Sequence, residues 1–163
     1  MVIGNKIFEN NTYIMGILNV TPDSFSDGGK WNTLDSALKH AEQMIEEGAD
    51  IIDIGGESTR PQYTQISDDE EINRIIPIIE AVTSNFDVPV SVDTYKSRVA
   101  DAALSSGAVL INDIWGFKYD SKIADVCKKY NASCCLMHNR TKAVYNDFFE
   151  DVISDLKDSI TIA

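Results

Sequence analysis

Oxygen-bearing side chains crowd one short stretch near the start of the chain, Asn19-Val-Thr-Pro-Asp-Ser-Phe-Ser-Asp27-Gly-Gly29. Asn19, Thr21, Asp23, Ser24, Ser26 and Asp27 offer amide, hydroxyl and carboxylate oxygens, which suit a hard cation or a phosphate better than a packed interior. Pro22 fixes its own φ and pushes Thr21 towards extended geometry, while Gly28 and Gly29 free the backbone at the other end. A solvated turn between a strand and a helix has a similar composition, so the stretch taken alone leaves both readings open. Chemically able residues recur at Gly55-Gly-Glu-Ser-Thr-Arg-Pro61, Asp93-Thr94, Asn112-Asp113 and His138-Asn-Arg140, each after a short apolar run. Thr59 and Arg60 could hold an anion or brace their own loop. Asp93 and Asn112 could read a polar ligand or cap the helices that follow. Asp113 could touch a ligand or orient a neighbour. His138 is a candidate general base on chemistry alone.

The elements that position these groups follow from apolar periodicity. Tyr13–Leu18, Ile51–Ile54, Val88–Val92, Ala108–Ile111 and Ala132–Met137 have the length and β-branched content of buried strands. Between them lie helical patterns. The first, capped by Asn32-Thr33, carries Leu34, Ala37, Leu38, Ala41, Met44 and Ile45 on one stripe and stops at Gly48. His40, near the edge of that stripe, reads as structural. Ser67-Asp-Asp-Glu70 matches a capping box and opens a helix in which Pro77 predicts a kink or a division. Further helices are expected from Val99 towards Gly107, over Ser121–Tyr130, and from Asp147 through Phe148, Ile153, Leu156 and Ile160. A short strand and turn over residues 1–11 precedes a single domain, residues 12–163.

Strand, loop and helix alternate five times, which implies an α/β protein with a parallel sheet. A parallel sheet places every strand's C-terminal end on one side, so Asn19, the Gly55–Pro61 loop, Asp93, Asn112, Asp113 and His138 should converge there. The pattern alone does not separate a closed barrel from a doubly wound sheet.

Composition narrows the partners. With 44% hydrophobic residues among 163, the chain can bury a real core. A formal net charge of −12 with no basic stripe argues against nucleic acid and against an anionic membrane surface. The cysteines, Cys127, Cys134 and Cys135, form no CxxC pair, and Cys134 and Cys135 read as buried thiols in a reducing compartment. No leader-like or membrane-spanning run is evident, so a soluble cytoplasmic protein is expected.

The stretch Asn19–Gly29 closely resembles the signature loop of the dihydropteroate synthase family. Gly56-Glu-Ser-Thr-Arg-Pro61, Ser91-Val-Asp-Thr94, Ile111-Asn-Asp113 and Leu136-Met-His138 resemble that family's later motifs, in the same order, so the likeness covers nearly the whole chain. The resemblance implies a (β/α)8 TIM barrel, of which about five βα units fit here. It implies condensation of 6-hydroxymethyl-7,8-dihydropterin diphosphate with p-aminobenzoate, giving 7,8-dihydropteroate and pyrophosphate in folate biosynthesis, with Mg2+ as cofactor. Asn19 would lie beside the metal. Thr59 and Arg60 would bind the diphosphate, and Asp93 and Asn112 would read the pterin, with Ile114 and Met137 against its rings. Phe25 and Asp27 would close over a dihydropterin cation formed when the C–O bond breaks, Asp27 opposing its charge. Pro61 would complete the p-aminobenzoate pocket, where sulfonamides compete. A homodimer is implied for the full-length protein.

Two features depart from the family pattern. Gln62 follows Pro61 where the family usually has glycine, which bears on the path of the second loop. A (β/α)8 barrel also needs eight units and about 250 residues, so the sequence reads either as part of a longer protein or as a truncated product. The competing expectations are a non-catalytic pterin-binding fragment and a methyltransferase of the related pterin-binding barrels.

Overall fold

The computed structural model describes residues 1–20, 30–58 and 64–163. Phe25, Asp27, Thr59, Arg60, Pro61 and Gln62 lie outside the described residues, as does most of the signature stretch.

Five parallel strands form the central sheet: β3 (Met15–Asn19), β4 (Ile51–Gly55), β5 (Val90–Asp93), β6 (Leu110–Asp113) and β7 (Ser133–Leu136). They pair in chain order, β3-β4-β5-β6-β7, so every connection crosses over through a helix to the adjacent strand. The helices are α1 (Lys30–Glu46), α2 (Asp68–Asn85), α3 (Ser97–Ser105), α4 (Lys122–Tyr130) and α5 (Phe148–Ile162). This is the expected βα progression, and among the described residues the strand order does not reverse as a doubly wound sheet requires.

Alternation along the strands divides the sheet into two faces. Leu18, Ile52, Ile54, Val90, Val92 and Ile111 join Ala37, Ala41, Ile75, Ile79, Val82, Val99, Ala103 and Ile123 of the helices in one buried core. Removing each such branched side chain from water contributes about 1.5–3 kcal/mol. That face holds the sheet and helices together. The alternate positions, Asn19, Asp53, Gly55, Ser91, Asp93 and Asn112, carry the polar chemistry.

A hairpin of β1 (Val2–Ile3) and β2 (Lys6–Ile7) covers the opposite, N-terminal end of the sheet. Ile3 and Phe8 pack with Ile51 and Leu110 in a second small cluster, and the Lys6 ammonium donates to the Asp87 carbonyl at 2.5 Å. The hairpin thus covers the end of the sheet opposite to the C-terminal strand ends, where the polar residues lie.

The first helix begins at Lys30, ahead of the expected Asn32-Thr33 cap, whereas two other helix starts act as expected. The Ser67 hydroxyl accepts from the Glu70 amide at 3.2 Å, and the Asp147 carboxylate accepts from the Glu150 amide at 3.0 Å. Helix α2 is not divided at Pro77: it runs continuously from Asp68 to Asn85. The proline removes one donor from the helix, but Ile75, Ile78, Ile79 and Val82 on both sides of it are buried and hold the turns in the core. His40 is exposed on α1. The cysteine expectation also needs correction. Cys127 of α4 is buried, whereas Cys134 and Cys135 are exposed, because β7 has no further strand beside it among the described residues.

Helix α5 reaches the sheet through a close approach. An added Cβ on Gly116 would lie 2.6 Å from the Ser159 hydroxyl and 3.0 Å from the Met137 carbonyl oxygen, and its φ is +57°. Gly116→Ala is therefore expected to lower the unfolding free energy by about 1–3 kcal/mol, measured by urea denaturation. An unchanged midpoint would show that α5 does not depend on this contact.

Candidate active site

Strand register assembles the polar residues into rows. Asn19 is level with Gly55, Gly55 with Asp93, Asp93 with Asn112, and Asn112 with Cys135. Gly55 leaves the middle of this row open. A Cβ there would stand 3.3 Å from Asn19 Oδ1 and 3.9 Å from Asp93 Oδ2. The missing side chain thus lets the amide of the first strand and the carboxylate of the third face each other across a bare backbone.

One row lower, Asp53 organises the floor. Its Oδ1 accepts from the Ser91 hydroxyl at 2.5 Å, and its Oδ2 accepts from Asn112 Nδ2 at 3.1 Å. Burial pushes the Asp53 carboxyl up, against the lowering effect of these two donors. The Asn112 side chain is therefore oriented by Asp53 and does not cap α4. Asp53 and Ser91 were not singled out from sequence, yet the signal was present: an acidic residue interrupts the buried apolar run Ile51-Ile-Asp-Ile54.

Asp93 is different. Its Oδ1 is buried and has no hydrogen-bond partner. Burial raises its pKa to about 7, with smaller contributions from the negative charges of Asp53, Glu71, Asp113 and Glu57. It caps no helix, since α3 begins at Ser97 without any side-chain cap. An unpartnered buried carboxylate oxygen beside an oriented amide is a costly arrangement without a ligand. It is well suited to a flat molecule that presents N–H donors.

Asp113 faces the helical side and orients the turn after β6. It accepts from the Trp115 amide at 2.7 Å and the Phe117 amide at 2.8 Å. Ile114, in that turn, is half-buried, and Met137 just beyond β7 is 45% exposed, an apolar side chain left open for contact. The Met137 amide donates to the Asp113 carbonyl at 3.0 Å, tying the two strand ends together. The Trp115 indole N–H is also buried without an acceptor. His138 Nε2 lies 2.8 Å from Asp155 Oδ2, which Arg140 Nε also engages at 2.5 Å. Arg140, then His138, hold the Asp155 carboxyl down to about 2. His138 is thus engaged by Asp155 of α5.

A second group was not legible as a group, although Glu57 lies in the Gly55–Pro61 stretch. Lys96, Glu57 and Glu71 are all buried, and the ammonium sits 2.8 Å from Glu57 and 2.7 Å from Glu71. Burial pulls the Lys96 pKa down, but the two carboxylates outweigh it and hold it above its ordinary value. No periodicity marks three residues from three different elements as partners.

Among the described residues no group of three or more His, Cys, Asp or Glu side chains could cage a metal. Asn19 supplies one exposed amide oxygen at the end of β3. A single hard oxygen fits Mg2+, which keeps most of its waters and takes the rest of its shell from phosphate oxygens. It does not fit a closed all-protein site.

The family described as pterin binding enzyme matches residues 15–163. A dihydropteroate synthase of Clostridium beijerinckii is 59% identical over 165 residues, covering 100% of this chain and 61% of that protein. The crystal structure of a dihydropteroate synthase from Clostridium difficile in the presence of pteroic acid superposes with a TM-score of 0.93 at 49% identity, covering 96% of this chain and 61% of that one. A Yersinia pestis dihydropteroate synthase in complex with a sulfonamide drug gives a TM-score of 0.85 at 38% identity, covering 100% and 63%. The chain thus spans about three fifths of the length of these relatives.

Proposed function

The chain belongs to the pterin-binding enzyme family, and from that premise we propose that it carries five βα units of a dihydropteroate synthase. The whole protein condenses 6-hydroxymethyl-7,8-dihydropterin diphosphate with p-aminobenzoate. The observation that carries this reading is the unpartnered Asp93 oxygen in one row with Asn112 and Asn19. A pterin edge presents ring N–H and amino donors to Asp93, while Asn112 offers an amide oxygen because Asp53 engages its NH2 group.

In this reading the C–O bond to the diphosphate breaks and pyrophosphate leaves with the electron pair. The p-aminobenzoate nitrogen then bonds to the exocyclic carbon and releases a proton. Asp93, when ionised, places negative charge at the strand ends, which favours positive charge developing on the pterin. Asp27 and Phe25 close over that charge, Thr59 and Arg60 bind the diphosphate, and Pro61 borders the p-aminobenzoate pocket. Asn19 would help to hold Mg2+, which when bound neutralises the diphosphate and eases its departure. The protein works in the cytoplasm, as a homodimer at full length. Among the described residues, no helix is long and apolar enough to cross a membrane.

The decisive assay is pyrophosphate release by the full-length protein supplied with both substrates. Binding of the pterin diphosphate without p-aminobenzoate-dependent release would falsify the synthase reading and leave only a pterin-binding protein. Asn19→Ala is expected to raise the Mg2+ concentration needed for half-maximal pyrophosphate binding about tenfold, read by calorimetry. Free pterin affinity should hold within about twofold. Equal Mg2+ dependence in the variant would remove Asn19 from the metal site.

A further inference from the structure

We infer that Lys96 is a positioning residue that clasps the two ends of the segment carrying Thr59, Arg60 and Pro61. The Lys96 ammonium donates to Glu57 Oε2 at 2.8 Å, to the Ile66 carbonyl at 2.9 Å and to Glu71 Oε2 at 2.7 Å, which uses all three of its N–H bonds. Glu57 stands just before the segment and Ile66 just after it. The Ile66 amide donates at 2.8 Å to the same Glu57 oxygen, so the two ends are joined directly as well as through the lysine. Tyr95 donates its hydroxyl to the other Glu57 oxygen, and Arg74 Nη1 donates to the Gly56 carbonyl at 2.9 Å.

This arrangement is difficult to explain by stability alone. Burying an ammonium between two carboxylates costs desolvation that its attraction barely offsets, and apolar residues of similar volume serve as well. What an apolar cluster lacks is direction. Three convergent N–H bonds fix where the segment leaves β4 and where it enters α2. Lys96 also stands three residues after Asp93, on the connection from β5 to α3. One short turn thus holds both the carboxylate that faces the row of polar residues and the clasp on the neighbouring segment. The functional consequence rests on the diphosphate reading above: the clasp sets the placement of Thr59 and Arg60, so its loss should weaken pyrophosphate far more than pterin.

The test uses the full-length protein and two readouts. The first is the rate of chymotrypsin cleavage after Tyr63, in the same segment, which reports the clasp whatever the substrate proves to be. Lys96→Met should accelerate it about tenfold or more, and Lys96→Arg, which keeps the charge and a fork of donors, should restore most of the protection. If Lys96→Met does not fold, the double variant Lys96→Met with Glu71→Gln neutralises one stranded carboxylate and carries the same expectation. Glu71→Gln alone leaves the Glu57–Lys96–Ile66 clasp in place, so cleavage should stay within about twofold of the parent despite some loss of stability. The second readout is calorimetric binding of inorganic pyrophosphate with magnesium chloride, which should weaken about tenfold in Lys96→Met while free pterin affinity is unchanged. Unchanged cleavage in both methionine variants overturns the clasp. Accelerated cleavage with pyrophosphate and pterin weakened alike overturns its positioning role. A parent protein that binds neither ligand sinks the functional reading instead, and the cleavage result still decides the clasp.

Discussion

Asp93→Asn is expected to cost at least about 100-fold in pterin affinity and, at the same time, to raise the stability of the unliganded protein. The first effect follows from losing a charged acceptor for pterin donors, since hydrogen bonds to a charged group are each worth about 1.5–3 kcal/mol. The second follows from the raised pKa. Burial, with Asp53, Glu71, Asp113 and Glu57 nearby, lifts the Asp93 carboxyl from 3.8 to about 7 in the folded state. The folded protein therefore holds this proton more tightly than the unfolded chain does. Its contribution to stability is full below about pH 4 and is lost as pH rises through about 7. Near pH 8 the ionised group is a burden of up to roughly 4 kcal/mol, an upper bound because buried sites relax. An asparagine carries no such charge. Thermal unfolding at pH 8 should show the variant more stable than the parent, with the advantage shrinking towards pH 5.

Ligand binding should follow the same group in the opposite sense. Pterin donors favour the carboxylate, so parent affinity should climb with pH to a plateau above about 7, while Asp93→Asn shows no such rise. Pyrophosphate affinity should be nearly unaffected in the variant. Equal loss of both ligands would instead point to a damaged fold.

Asp113→Ala carries the largest expected loss of stability, about 3 kcal/mol or more by urea denaturation. Both carboxylate oxygens are committed to backbone amides of the next turn, and the residue is fully buried. That turn places Gly116 and Phe117 at φ +57° and +65°, a left-handed pair that the carboxylate helps to hold. Phe117 is itself 0% exposed, so loosening the turn also disturbs the core. Asp113→Asn retains an acceptor for one amide and should lose about half as much. A loss below about 1 kcal/mol in the alanine variant would mean that packing of Phe117 alone sets the turn.

The amino-acid sequence by itself determined the order of elements, the parallel arrangement and the side of the sheet that carries the chemistry. It could do so because these depend on local periodicity, on caps such as Ser67 and Asp147, and on the rule that parallel strands end together. The motif at Asn19 and the Asp93 and Asn112 positions were legible for the same reason: each directly follows an apolar run. Tertiary structure alone decided what those residues face. Register placed Asn19, Gly55, Asp93 and Asn112 in one row, although up to 93 positions separate them in the chain. It gave Asn112 to Asp53, left one Asp93 oxygen without a partner, and turned Asp113 towards the helices. It also brought Lys96, Glu57 and Glu71 together, held α2 intact through Pro77, and left Cys134 and Cys135 uncovered. These outcomes depend on which distant groups share a low-dielectric space and on which strands have neighbours. Local propensity carries no information about either.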